Sequence, residues 1–201
     1  MRELVIASRN AGKLDELRAL LAPGDWQPRL LSELSDGAAE ESAPSFVENA
    51  IAKARFAAAV SGLPALADDS GLEVAALGGA PGVRSARYAG EDADDAANNA
   101  RLLAALAGRP ARERGARFVC VVAFLRHAKD PVPVIAEGFW EGRILEAPQG
   151  EGGFGYDPLF FVPERGCSAA ELSAADKGKL SHRGRALRAL AERMPREAGE
   201  G

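Results

Sequence analysis

Strand-like and helix-like runs interleave along this chain, and that order confines it to the α/β or α+β classes. The strongest strand signals are ARFVCVVAFLRH (116–127) and PVPVIAEGFWEGRIL (131–145), rich in Val, Ile and Phe and divided by Lys129-Asp130-Pro131. Leu4 to Ala7 reads as a short buried strand, and LPALADDSGLEV (63–74) as two strand-like runs about a polar turn. Leucines at 14, 17, 20 and 21 predict a helix from Leu14 to Leu21, stopped by Pro23 and Gly24. Ser45 and Glu48 form a capping-box pattern ahead of an apolar face of Phe46, Val47, Ala50, Ile51 and Ala54, and Gly62 ends that run. Two more helices are predicted, an alanine-rich one from Asp94 to Ala107 and a last one from Ser181 to Met194. GGAPGVRSARYAGED reads as a Gly/Pro-punctuated loop, and EGGFGYDPLFFVPE as a glycine-rich loop running into a strand.

With 201 residues, no internal repeat and no low-complexity linker, one domain of two lobes is expected over residues 1–194, followed by a frayed tail at 195–201. The net charge of -4 disfavours nucleic acid as a partner, because polyanions select strongly basic proteins. No stretch approaches the roughly 18 consecutive apolar residues of a membrane span. MRELVIAS is too short in its apolar part for a signal peptide, and Cys120 and Cys167 have no metal-ligand or disulfide-scaffold spacing. A cytoplasmic location and no membrane partner are therefore expected.

Four stretches carry possible chemistry, each with a bland reading beside the functional one. SRNAGK, Ser8 to Lys13, lies between a strand and a helix. It is not a P-loop, since the first glycine is missing and Leu14 rather than Ser or Thr follows Lys13. A glycine and a lysine before a helix N-terminus still suit an anion, although such joints are commonly structural. Asp68-Asp69-Ser70-Gly71 is good hairpin-turn chemistry; it is equally a place for a magnesium ligand or general base, with Glu40 and Glu41 available to complete it. In GGFGYDP, three glycines leave Phe154 open to a flat ligand, or its aromatics belong to the core. Lys177 with Ser181-His182-Arg183 offers donors at a helix start, or only a solvated helix end.

Taken in order, SRNAGK, FVENAIAKA, ADDSGLEVAALGGAPGVRSARYAG, GEGGFGYDPLFF and AELSAADKGKLSHRG resemble the inosine triphosphate pyrophosphatase family, also called XTP/dITP diphosphatases. The resemblance runs from about Leu4 to Ala191. It implies an elongated, two-lobed α/β fold with a long mixed sheet flanked by helices and a central cleft. It also implies a homodimer that uses magnesium to cut deaminated purine nucleoside triphosphates (dITP, ITP, XTP) into monophosphate and pyrophosphate. Carried over residue by residue, Ser8, Arg9, Asn10, Ala11, Gly12 and Lys13 become the triphosphate segment, with Lys53 a further phosphate contact. Glu40 and Asp69 become metal ligands, Asp69 also the water-activating base, and Ser70 a substrate contact. Phe154, Gly155, Tyr156, Asp157, Lys177, His182 and Arg183 become the base and sugar pocket. Glu40 is preferred over Glu41 because it stands nine residues before Asn49, as the family's ligand does. Many relatives read Thr-Gly-Asn or Thr-Asn-Asn where this chain has Ser8-Arg9-Asn10. Serine keeps the hydroxyl, while Arg9 has two readings, a phosphate contact or a solvent-facing residue.

The chemistry agrees with those roles. Water attack on a polyanion needs its charge neutralised and the water oriented or deprotonated. Donors from Lys177, His182 and Arg183 suit the C6 oxygen of hypoxanthine or xanthine and oppose the amino group of adenine. GTP shares that oxygen, and no residue in the sequence accounts for its exclusion. A pyrophosphatase of other base preference and a non-catalytic nucleotide-binding regulator are the rival readings.

Overall fold

The computed structural model describes residues 2–8, 17–18 and 26–195. SRNAGK beyond Ser8, most of the first predicted helix and the tail from 196 lie outside the described residues. Seven strands form one mixed sheet in the order β2-β1-β3-β4-β5-β6-β7. They are β1 (Arg2–Ile6), β2 (Trp26–Leu30), β3 (Ala65–Val74), β4 (Gly115–Leu125), β5 (Val134–Ile144), β6 (Phe160–Val162) and β7 (Cys167–Ser168). Among the described residues the α-helices given bounds are α1 (Phe46–Ser61), α2 (Asp95–Ala105), α3 (Ala174–Leu180) and α4 (His182–Arg193). The α/β class expected from the interleaving is thus observed.

The chain divides into two compact units, the first of residues Met1–Asp69, Cys120–Gly138 and Arg185–Gly201, the second of Ser70–Val119 and Phe139–Gly184. In the first, β1 pairs in parallel with β2 and with β3, Val5 opposite Ala65 and Ile6 opposite Leu66. Period-two alternation sorts these strands onto two cores. Leu4, Ile6 and Leu66 join Trp26, Val122 and Phe124 with Ala186, Leu187, Leu190 and Met194 of α4. Val5 and Ala65 instead pack with Leu31, Ala57 and Ala58, the last two from α1. The start of α1 is as predicted: the Ser45 side chain accepts from Glu48 N and donates to Glu48 Oε2. Gly62, at φ 70°, supplies the left-handed C-cap.

In the second unit a single core gathers Leu72 and Val74 of β3, Ala116 and Phe118 of β4, Trp140 and Ile144 of β5, and Leu102 and Leu106. β6 pairs antiparallel with both β5 and β7.

One expectation is corrected. Asp68 to Gly71 do not turn: β3 runs unbroken through them, and Asp68 and Asp69 are buried within it. Tertiary bonds to Asp69, described below, outweigh the local turn preference of these residue types.

The turn after β4 is closed by Asp130. Its buried carboxylate accepts from Arg126 N, Arg126 Nε and Nη2, and Val132 N. The hydrogen-bonded Arg126 guanidinium holds Asp130 well below the usual carboxylate range, against the opposing effect of burial. We expect Asp130→Asn to cost about 1 kcal/mol at neutral pH, allowing for solvent screening of the half-exposed Arg126. A lowered folded pKa gives a contribution complete above about pH 4 and lost as pH falls toward the folded value. Denaturant titrations of both proteins at several pH values should therefore converge on the acid side.

Candidate active site

In the first unit, helix α1 presents Asn49 and Lys53 one turn apart, so both meet the same neighbour. That neighbour is Asp69. Lys53 Nζ lies 2.8 Å from Asp69 Oδ1 and 3.0 Å from Glu41 Oε1. Asn49 Nδ2 donates to Asp69 Oδ2 at 3.2 Å, while the same amide pairs with both backbone groups of Ala43. One buried side chain therefore ties the acidic segment, α1 and β3 together. Burial pushes Asp69 above the usual carboxylate range, outweighing the downward pull of Lys53 and Asn49. Burial lowers Lys53, but Asp69 and Glu41 overcome it and the ammonium is held protonated. The 2.8 Å contact favours the ionised pair, since a neutral pair would forfeit that attraction. Lys53, Glu41, Ser8, Ser32, Ser35 and Phe56 are among the walls of a cavity of about 300 Å³. Glu40 and Glu41 are both exposed to solvent, and of the two it is Glu41 that is joined to Lys53.

In the second unit a cavity of about 190 Å³ is lined by Ser70, Ser85, Asp95, Phe118, Phe154 to Asp157, Lys177 and His182, among others. Asp157 is buried and accepts from Phe154 N at 2.8 Å and from Lys177 Nζ. The Lys177 ammonium also stands over the Phe154 ring, 4.7 Å from its centroid. His182 stacks on Phe118, centroids 4.7 Å apart and planes 13° from parallel. Tyr156 is a core residue whose hydroxyl donates to Ser85 O at 2.8 Å, and burial holds it above its ordinary range. Phe154 is the exception among the large apolar residues here, 68% exposed at the cavity's edge.

The second cavity thus brings together Ser70, Phe154, Gly155, Tyr156, Asp157, Lys177 and His182, all singled out in the sequence. Arg183, next in α4, is half-buried and not among its walls. In the first unit Ser8 and Lys53 share one cavity, and Asp69 reaches it through Lys53. Arg9 to Lys13 lie outside the described residues. Sequence reading missed Asn49 and Ser85. The four-residue interval between Asn49 and Lys53 was the available signal for the first; nothing local marked the second.

A lysine held between carboxylates in one unit, and an aromatic cavity with its own lysine–carboxylate pair in the other, define an α/β enzyme. Residues 4–193 match the model of the Ham1 family, and the chain belongs to that family. The resemblance noted in the sequence is borne out by its relatives. The dITP/XTP pyrophosphatase of Pseudomonas syringae pv. tomato is 59% identical over 194 residues, 96% of this chain and 98% of that protein. Its counterpart in Pseudomonas aeruginosa is 58% identical over the same shares. A solved HAM1 protein from Coxiella burnetii superposes with a TM-score of 0.91 at 48% identity, covering 96% of this chain and 98% of the other.

Gly153 is where backbone and site constrain each other. It sits at φ 78°, and a Cβ there would overlap the Asp157 carboxylate. Gly153→Ala is expected to destabilise the fold by about 1–3 kcal/mol and to loosen the Asp157–Lys177 contact. Thermal unfolding reads the first, and chemical shifts of the Lys177 side chain the second.

Proposed function

We propose that this enzyme hydrolyses dITP, ITP and XTP between the α and β phosphates, releasing the nucleoside monophosphate and pyrophosphate. Near-60% identity to dITP/XTP pyrophosphatases over 96% of the chain carries the reading. The two sites are compatible with it, one with Lys53 and three serines on its walls and the other with an exposed aromatic face.

In this reading Ser8 and Lys53 bind phosphate oxygens, with the Arg9 to Lys13 segment beside Ser8 in sequence. Asp69 takes the proton of the attacking water. Its pairing with the Lys53 ammonium favours the ionised carboxylate that a base must present. The donor chemistry also fits magnesium. Two carboxylates already converge on one cation, the Lys53 ammonium, and hard oxygens are what magnesium selects. Among the described residues no group of three acidic, His or Cys side chains could cage a metal. Asp69 would hold magnesium with Glu40 or Glu41, and when bound the ion would neutralise charge building on the phosphates.

Phe154 stacks the base, an interaction of roughly 1–3 kcal/mol. Lys177 and His182, both walls of the second cavity, supply donors to the C6 oxygen, with Arg183 next to His182 in the chain. Adenine turns an amino group toward the same donors, and a site built this way can reject it by roughly 10⁴-fold. We expect dITP to give pyrophosphate as first product, with ATP turned over orders of magnitude more slowly. A nucleotide panel with separate detection of pyrophosphate and orthophosphate decides; orthophosphate first, or equal ATP turnover, would sink the reading. Asp69→Asn should lower kcat by about 10²–10⁴-fold in a protein that stays folded by circular dichroism but melts at a lower temperature, because its amide nitrogen would face either Lys53 Nζ or Asn49 Nδ2.

A further inference from the structure

The first turns of α2 carry four polar residues, Asp94, Asp95, Asn98 and Asn99, to which the proposed chemistry gives no role. The structure occupies every one. Asp94 caps the helix, its Oδ1 accepting from Ala97 N at 2.8 Å. Asn98 is buried and fastens the helix to the preceding turn, accepting from Ala89 N and donating to Ala86 O. Asp95 and Asn99, four residues apart and so on one face, both close on Gly155. Asp95 Oδ2 accepts from Gly155 N at 2.6 Å, and Asn99 Nδ2 donates to Gly155 O at 2.9 Å.

Both backbone groups of the residue after Phe154 are therefore held by α2, while Phe154 N is held by Asp157. The ring between these anchors remains 68% exposed. Burial does not explain an aromatic so placed, and its backbone is fastened on both sides. A restrained backbone with an open face is a platform whose ordering cost is met before a ligand arrives.

We propose that Asp95 and Asn99 are positioning residues that hold the Phe154 loop ready for a planar purine base, and so set affinity rather than the chemical step. The inference rests on the proposed function for the identity of that base. Asn99 is not among the cavity walls and acts only through Gly155. Asp95 is itself a cavity wall, so its two effects must be separated by charge-matched variants.

The test is dITP kinetics together with equilibrium binding of inosine monophosphate by calorimetry. Asp95→Ala and Asn99→Ala should each raise KM and weaken monophosphate binding by about five- to tenfold, with kcat within about twofold. Asp95→Asn removes the same charge but keeps an acceptor for Gly155 N, and should recover most of the loss. Asn99→Asp cannot donate to Gly155 O and should not recover. Inhibition by tripolyphosphate, which has no base, should be unmoved throughout. Unchanged KM and binding in both alanine variants would overturn the clamp, as would Asp95→Asn being as impaired as Asp95→Ala. A wild type that binds the monophosphate with this same dependence but releases no pyrophosphate from dITP would refute the proposed function and leave the clamp standing. A wild type that binds no monophosphate refutes the clamp.

Discussion

A carboxylate buried inside a strand is tolerated only when its charge is met, and the first unit is organised around meeting that of Asp69. Desolvating an ion costs several kcal/mol unless partners replace the lost water. Lys53 and Asn49 do so from consecutive turns of α1. This requires α1 to sit in one register against β3, which the Ser45 cap helps to secure. A register slip of one residue along the helix would rotate both side chains away by about 100°. Asn49 extends the constraint to Ala43, so the acidic segment has its position set by the same buried amide.

The second unit repeats the pairing of lysine with buried carboxylate, in different surroundings. Lys177 meets Asp157 and also an aromatic face. The ring adds a cation–π attraction to the ion pair and so helps fix where the ammonium sits. The glycines of GGFGYD are part of that arrangement. At Gly153 the Asp157 carboxylate occupies the space a side chain would need.

Much of this was legible in the sequence because local signals and tertiary needs agreed. The Ser45 cap, Gly62, the runs at 116–127 and 131–145 and the last helix all fall where their patterns put them. The failures have physical causes. β2, WQPRL, is short and has Pro28 at its centre, a residue that argues against a strand unless it lies at an edge. In the observed order β2 is an edge. α3 is only seven residues with Gly178 inside, too short for periodicity to declare it. DDSG has the composition of a turn and is a strand, because its bonding partners lie about twenty residues away. Site residues announced themselves as types, but their pairing did not. Nothing local says that Lys53 joins Asp69 to Glu41 rather than to Glu40, or that two residues of α2 hold Gly155.

That last juxtaposition bears on how a small cavity can be selective. The polar groups around Phe154 are almost wholly committed to one another: Asp157 to Phe154 N and Lys177, Tyr156 to Ser85 O, Asp95 and Asn99 to Gly155. A group already satisfied gains little by shifting to suit a wrong ligand, and leaving its partner unpaired costs the desolvation it had avoided. A base presenting a donor where an acceptor is needed would have to break one of these bonds or leave its own group unmet. Under the proposed function, discrimination would come from the stiffness of this hydrogen-bond network as much as from any one contact, and the exposed Phe154 ring would give a base of the right edge a surface on which to settle.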